Sequence, residues 1–423
     1  MNIYRLFLGL LFCFLTLSSW ATSLGPQKTA VFLLDHQHFL NDPTSRPKKD
    51  QIYEALFQSP YSLAAFYKES SYDRLQITGN VFGWFQVDAT QCLLNEKELV
   101  KLTKNAIDWT DWDRIIVLSY LDPTLCPDVG LGHSTFGKIQ VSTPNGTAHV
   151  SLSFALLNNR FVLPQLPFQT LSGITSSVVA HEYGHALGIY GHANLYDCGR
   201  HTVSPDWKEC HQEAIADRFS IMGGEGVYRV GLHHNACHKE QLGWFQNSQL
   251  LDVAPKAHPQ VFRIYPYSSQ DKDRIVAIKI ALYQPIPIVP EKNVKLSVLH
   301  LTNRTAEGFD RRIEDLSDPQ KYFRQIALHP RSGRSSYMID PLGLQIRGGF
   351  LKNNRCVTTY LLDTHPNSFG SVYQKKFYDY SLFDALDGIL NFQETFIEPY
   401  NGIQIKVLRI LPDKSIEVEI KRV

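Results

Sequence analysis

The sequence predicts an α+β protein in two parts, a mixed sheet-and-helix domain over residues 24–248 and an all-β sandwich over residues 249–423. Three observations carry this expectation. Short apolar runs with strand character alternate with segments of helical spacing as far as Trp244. Beyond Trp244 several segments alternate apolar and polar residues, as strands do when one face is buried and the other wet. The chain has 423 residues, enough for two full hydrophobic cores, and its 43% hydrophobic and 20% charged content is that of an ordinary globular protein.

The segments follow in order. Arg5 precedes an apolar run from Leu6 to Leu17, and Ser19 and Ala21 place small residues at a cleavage site after Ala21, so residues 1–21 read as a signal peptide. That run is too short to span a bilayer and no later one is long enough. The mature chain is therefore expected to be exported, secreted or held in a periplasm or another oxidising compartment, with no membrane span. Thr29 to Asp35 reads as a buried strand that follows at once, leaving no room for a long pro-segment. Asp50 to Lys68 has helical spacing through Ile52, Leu56, Leu63 and Phe66. Leu75 to Val87 reads as a hairpin turning at Gly79-Asn80, Glu96 to Ile107 as a helix, and Arg114 to Tyr120 as a buried strand. His149 to Phe154 reads equally as an edge strand that pairs with an extended partner or as a core strand. In the second part, residues 261–264, 275–280, 295–299, 403–407 and 415–420 read as strands, and the charged stretch from Glu307 to Arg334 as a long loop.

Charge and cysteine content narrow the class further. With 42 basic and 41 acidic residues the net charge is +1, which gives no electrostatic reason to expect nucleic acid or an anionic membrane as partner. Of seven cysteines, Cys13 leaves with the signal. Cys92, Cys126, Cys198, Cys210, Cys237 and Cys356 remain, an even count that suits disulfides in an exported chain. Separation alone favours Cys92–Cys126 and Cys198–Cys210, leaving Cys237–Cys356 to tie the two halves together. There is no C-x-x-C pair to suggest a thiolate zinc site.

The chemistry lies in the run His181-Glu182-Tyr183-Gly184-His185. Ile174, Val178, His181 and His185 fall on one helical stripe, with Ser172 as N-cap and Gly188 just past the C-terminus. Histidines four apart on a helix project side by side and can share one tetrahedral ion. Glu182 points about 100° around the axis from His181, so it is placed to accept a proton from the attacking water instead of binding the ion. A third ligand is needed, and His192 follows Gly188 by four residues; Asp197, His201 and Glu213 are the fallback ligands.

The whole run to His192 resembles the H-E-x-x-H-x-x-G-x-x-H pattern of the metzincin zinc peptidases, in particular the gametolysin and immune-inhibitor-A-like peptidases. It departs in one place: the residue three after the glycine is Gly191, and His192 stands one later, so the turn must absorb an extra residue, which glycine's tolerance of positive φ would allow. Ser220-Ile221-Met222-Gly223-Gly224 is similar to the family's methionine turn, with Met222 beneath the metal. Gly224 stands where some members carry a tyrosine; Tyr228 is the nearest substitute. Residues 61–67, 71–75, 239–244 and 360–364 also look like the gametolysin type. The resemblance implies a metzincin-like domain before a β-sandwich. It also implies one catalytic zinc ion and endopeptidase action on protein or peptide substrates, with Glu182 as general base and His181, His185 and His192 as ligands. A calcium requirement and the oligomeric state are not readable. The pattern also admits an exported zinc-containing binding module without catalysis, against which Glu182 speaks, and a zinc hydrolase of a non-peptide bond. His233, His234 and His238 read as polar loop residues or hydrogen-bonders to the site, and Asn145 and Asn303 fit the glycosylation pattern.

Overall fold

The computed structural model describes residues 23–36, 47–88, 91–120, 132–157, 173–198, 201–204, 206–217, 219–223, 232–289, 294–312, 343–353, 355–365 and 388–423. The expected signal peptide, Ser172, Cys126, Gly224, Tyr228 and residues 313–334 of the expected loop lie outside them. The described chain is mixed α+β with three sheets.

The first sheet is built from β1 (Gly25–His36), β2 (Leu75–Val87), β3 (Arg114–Tyr120), β4 (Gly132–Ser134), β5 (Ile139–Thr143) and β6 (Gly146–Leu157). Its order is β2-β1-β3-β6-β4, with β5 also on β6. β1, β2, β3 and β6 run parallel, while β4 is antiparallel to β6. β1 is apolar without alternation because both its faces are covered. Val31 and Leu33 join one core with Phe66 and Tyr183, while Ala30, Phe32 and Leu34 join another with Leu99 and Trp109.

Two sequence expectations change here. Residues 75–87 form one strand parallel to β1 and not a hairpin. Gly79 serves close approach: a Cβ there would lie 2.0 Å from the Thr29 carbonyl. The expected helix 50–68 is interrupted. α1 (Lys49–Tyr53) runs through a π-turn to Gln58, and α2 (Leu63–Ser70) begins afresh with Ser62 as N-cap. The break is at Ser59, which precedes Pro60 and is extended at ψ 146°.

α3 (Glu96–Thr103) packs on the β5 side of the sheet. α4 (Gly173–Ala186) lies against β6 and β4, and α5 (Ala236–Gln241) follows it in the chain. The other two sheets are built from β7 (Ala193–Asp197), β8 (His211–Glu213), β9 (Leu250–Asp252), β10 (Gln260–Ile264), β11 (Ala277–Val289), β12 (Val294–Arg304), β13 (Gly343–Lys352), β14 (Arg355–Leu362), β15 (Ile389–Leu390), β16 (Thr395–Glu398), β17 (Ile403–Ile410) and β18 (Ile416–Arg422). One sheet runs β10-β18-β17-β16, the other β8-β7-β14-β13-β12-β11-β9 with β15 on β13. Ile264, Ile405 and Val418 of the first share a core with Ile280, Leu299 and Ile346 of the second. The larger sheet draws on both sides of residue 248, since β7 pairs in parallel with β14.

Of the expected disulfides, Cys198–Cys210 and Cys237–Cys356 are formed. Cys92 is disulfide-bonded, and its expected partner Cys126 lies outside the described residues. No helix among the described residues is long and apolar enough to cross a membrane.

Candidate metal centre

α4 ends in a way its sequence dictates. The Gly188 N–H donates to the His185 carbonyl and the Ile189 N–H to the Gly184 carbonyl, while Gly188 takes φ +109°, the glycine-closed helix end of a Schellman motif. The buried Arg114 donates to the Ala186 carbonyl at 2.6 Å, satisfying an orphan acceptor at the negative end of the helix. The helix end thereby fixes His185, and the chain turns at once toward His192.

His181, His185 and His192 come together, with one nitrogen of each within 4.8 Å of the others. His185 Nε2 is 3.2 Å from His181 Nε2 and 3.2 Å from His192 Nε2. The other ring nitrogens explain the arrangement. His181 Nδ1 donates to the Ile221 carbonyl at 2.8 Å and His185 Nδ1 to the Ile189 carbonyl at 2.6 Å. A carbonyl only accepts, so each Nδ1 carries the proton and each Nε2 a lone pair. Burial lowers the pKa of His181 to about 3 and of His185 to about 4, the neighbouring imidazoles pushing the same way, and burial lowers that of His192 as well. Neutral rings with lone pairs facing one another repel unless a cation lies among them. Nitrogens about 2.0–2.1 Å from a tetrahedral zinc would stand roughly 3.3 Å apart. The donor set fits such an ion, and the same three residues are the expected ligands. His201, a fallback ligand, is exposed and outside the cluster; the side chains of Asp197 and Glu213 lie outside the described residues.

Glu182 is buried beside this cluster, and its Oε2 accepts from Ser134 Oγ at 3.1 Å. Burial raises its pKa to about 7 against the pull of that hydrogen bond. β4 passes directly over it. A Cβ on Gly132 would lie 2.7 Å from Glu182 Cγ, so only glycine lets the strand come this close. On this side of the sheet β4 and β5 form the edge, and residues 149–154 belong to the strand inside them, β6, which pairs with β3, β4 and β5.

The turn at Met222 supports the cluster from the other side. The Gly223 N–H donates to the Ser220 carbonyl, Ile221 supplies the acceptor for His181, and the Met222 carbonyl accepts from the Ala193 N–H. The sulfur of Met222 lies where a Cβ on Gly184 would be, at 2.7 Å, so the glycine between the two histidines admits the methionine. A Cβ on Gly223 would strike the Asp217 carbonyl at 1.8 Å. Asp217 in turn is held by Arg347 of β13, at 2.7 Å and 3.2 Å, both residues fully buried.

His192 is held by β14. Gly191 does not take a positive φ as the extra residue suggested. It is glycine because a Cβ would lie 1.8 Å from the Val357 carbonyl. Thr358 Oγ1 donates to the His192 carbonyl at 3.2 Å and accepts from Asn194 Nδ2 at 2.8 Å.

Sequence reasoning missed Gly132, Ser134, Asp217, Arg347 and Thr358, all distant in sequence from α4; a short H-S pair gives no signal until β4 is seen above Glu182. His233 and His234 lie in the loop before α5 and His238 lies on α5. His233, His234 and His238 are fully buried, His233 on Glu69 at 2.9 Å and His234 Nδ1 on Ser70 at 3.1 Å. Asn303 is buried too, donating to the Ile264 and Lys414 carbonyls, which removes it as a glycosylation acceptor. Comparison with models of known protein families and with curated proteins returned no match.

Proposed function

We propose that the protein is an exported zinc-dependent endopeptidase of metzincin-like architecture, with His181, His185 and His192 as metal ligands and Glu182 as general base. The observation that carries this reading is the convergence of three buried or half-buried imidazoles, two of them anchored through Nδ1, with a buried carboxyl one residue along from His181 on the same helix. A structural zinc site uses four protein ligands; three with an adjacent acid suit a catalytic one.

Bound zinc would acidify a water and polarise the scissile carbonyl. The chain's own residues supply the rest. Glu182, ionised, would accept the proton of the attacking water and pass it to the leaving amine. The Ser134 hydroxyl orients that carboxylate, and β4 covers it from solvent. The Cys198–Cys210 and Cys237–Cys356 disulfides favour an oxidising compartment.

The test is zinc stoichiometry together with casein cleavage, with and without chelator. One zinc per chain and chelator-sensitive cleavage are expected. Glu182→Ala is expected to keep the zinc and lose about 10²–10⁴-fold in rate. Full activity in that variant would refute the mechanism, and zinc binding with no cleavage of any protein would refute the peptidase reading.

A further inference from the structure

Phe136 and Tyr190 are 54% and 53% exposed, yet their rings stack at 5.4 Å with 23° between planes. Phe136 also meets the ring of His185 edge-on at 5.5 Å. Among the described residues these are the only two exposed aromatic rings in contact with each other. Neither ring is held by burial; each sits on anchored backbone. Thr135 N–H donates to the Leu152 carbonyl, Leu152 N–H donates to Thr135 Oγ1, and Thr135 Oγ1 donates to the Gly137 carbonyl, which pins the turn after β4 to β6. Tyr190 lies between Ile189, bonded to Gly184 and His185, and Gly191, wedged against Val357. Exposed apolar surface held rigid beside a reactive centre is already ordered, so a ligand that covers it loses little entropy on binding.

We infer that Phe136 and Tyr190 form a specificity-determining wall that selects an aromatic side chain on the substrate residue next to the bond at the metal. This rests on the metal-site reading above. A chain brought to the three imidazoles must pass the ring bordering His185. A flat side chain there extends the existing stack and buries both rings, whereas a methyl group leaves them wet. The two rings come from separate turns, the one after β4 and the one after α4, and meet beside His185.

The experiment is calorimetric binding of two hydroxamates with the same metal-binding head, one bearing a benzyl group and one a methyl group, to zinc-loaded protein. The wild type is expected to prefer the benzyl compound by about tenfold. Phe136→Ala and Tyr190→Ala are each expected to cut that preference to about threefold or less and the double variant to abolish it, with Tyr190→Phe retaining it. Zinc affinity and binding of the methyl compound should stay unchanged. Undiminished preference in the double variant, equal weakening of both compounds, or failure of the benzyl compound to bind zinc-loaded protein would overturn the inference. Absence of zinc binding by the wild type would overturn the metal site itself.

Discussion

His181 and His185 each commit Nδ1 to a backbone carbonyl, Ile221 and Ile189, and so present Nε2 as a donor to a cation. His192 completes the set from the following turn, and His192→Ala should lower zinc affinity by at least the 10–100-fold that loss of a supporting contact costs about metal sites generally; calorimetric titration checks it. Ser134 gives the sharpest single-residue prediction. Its hydroxyl stabilises the carboxylate form of Glu182, so its loss raises that pKa further. The base works only when ionised, so the acid limb of the rate profile in Ser134→Ala should move to higher pH while zinc is retained. An acid limb that stays put, or moves down, would show that the hydroxyl does not act on Glu182. His181, Glu182 and His185 were legible in the sequence because helical spacing alone sets their directions. Ser134 was not, because it reaches Glu182 only through the pairing of β4 with β6.

Two elements place the third ligand. The Schellman end of α4 reverses the chain at Gly188, and β14 receives it at Gly191. The glycines do different things and should respond differently. Gly188→Ala imposes a positive φ on a residue with a Cβ, which costs about 1 kcal/mol and should lower thermal stability with zinc affinity nearly intact. Gly191→Ala drives a Cβ into the Val357 carbonyl and must shift the turn, so zinc affinity should fall together with stability. Equal zinc affinity in both variants would contradict the assignment of β14 as the support of His192. The sequence showed that a glycine was needed there but offered the wrong reason. A clash with a strand more than 160 positions later, at Val357, leaves no local trace. The expected hairpin at Gly79 misled in the same way, since a glycine required by a neighbouring strand looks like a turn residue.

At the scale of the whole molecule, the expected boundary near residue 248 separates residues that the folded site brings together. β7 pairs with β14, Arg347 of β13 holds Asp217 beneath the Met222 turn, and the Cys237–Cys356 disulfide joins α5 to β14. A chain of residues 24–248 alone would leave an unpaired strand and a buried carboxylate without its cation, a loss of about 3–5 kcal/mol for the ion pair alone. It should therefore fail to bind zinc tightly, whereas zinc binding equal to the full chain would contradict this dependence. A second link, in which Glu69 accepts from the Phe309 N–H and pairs with His233, makes stability respond to pH. Burial by itself raises the Glu69 carboxyl, but the hydrogen bond and charge of His233, the Phe309 N–H and Lys239 outweigh it and lower the pKa. Its contribution is then present above the unfolded carboxylate value of about 4.3 and lost as pH falls through the lower folded value. Urea unfolding of Glu69→Gln should accordingly show a shallower loss of stability on acidification than the wild type. The strand-rich second part and the two described disulfides were legible from alternation and cysteine spacing; its merger with the first part through a parallel strand was not, because long-range pairing has no periodicity. The most direct test of the central claim is zinc K-edge X-ray absorption on the metal-loaded full chain. Three imidazole nitrogens at about 2.0–2.1 Å with one further light ligand are expected, and a sulfur shell near about 2.3 Å, or fewer than three imidazoles, would contradict it.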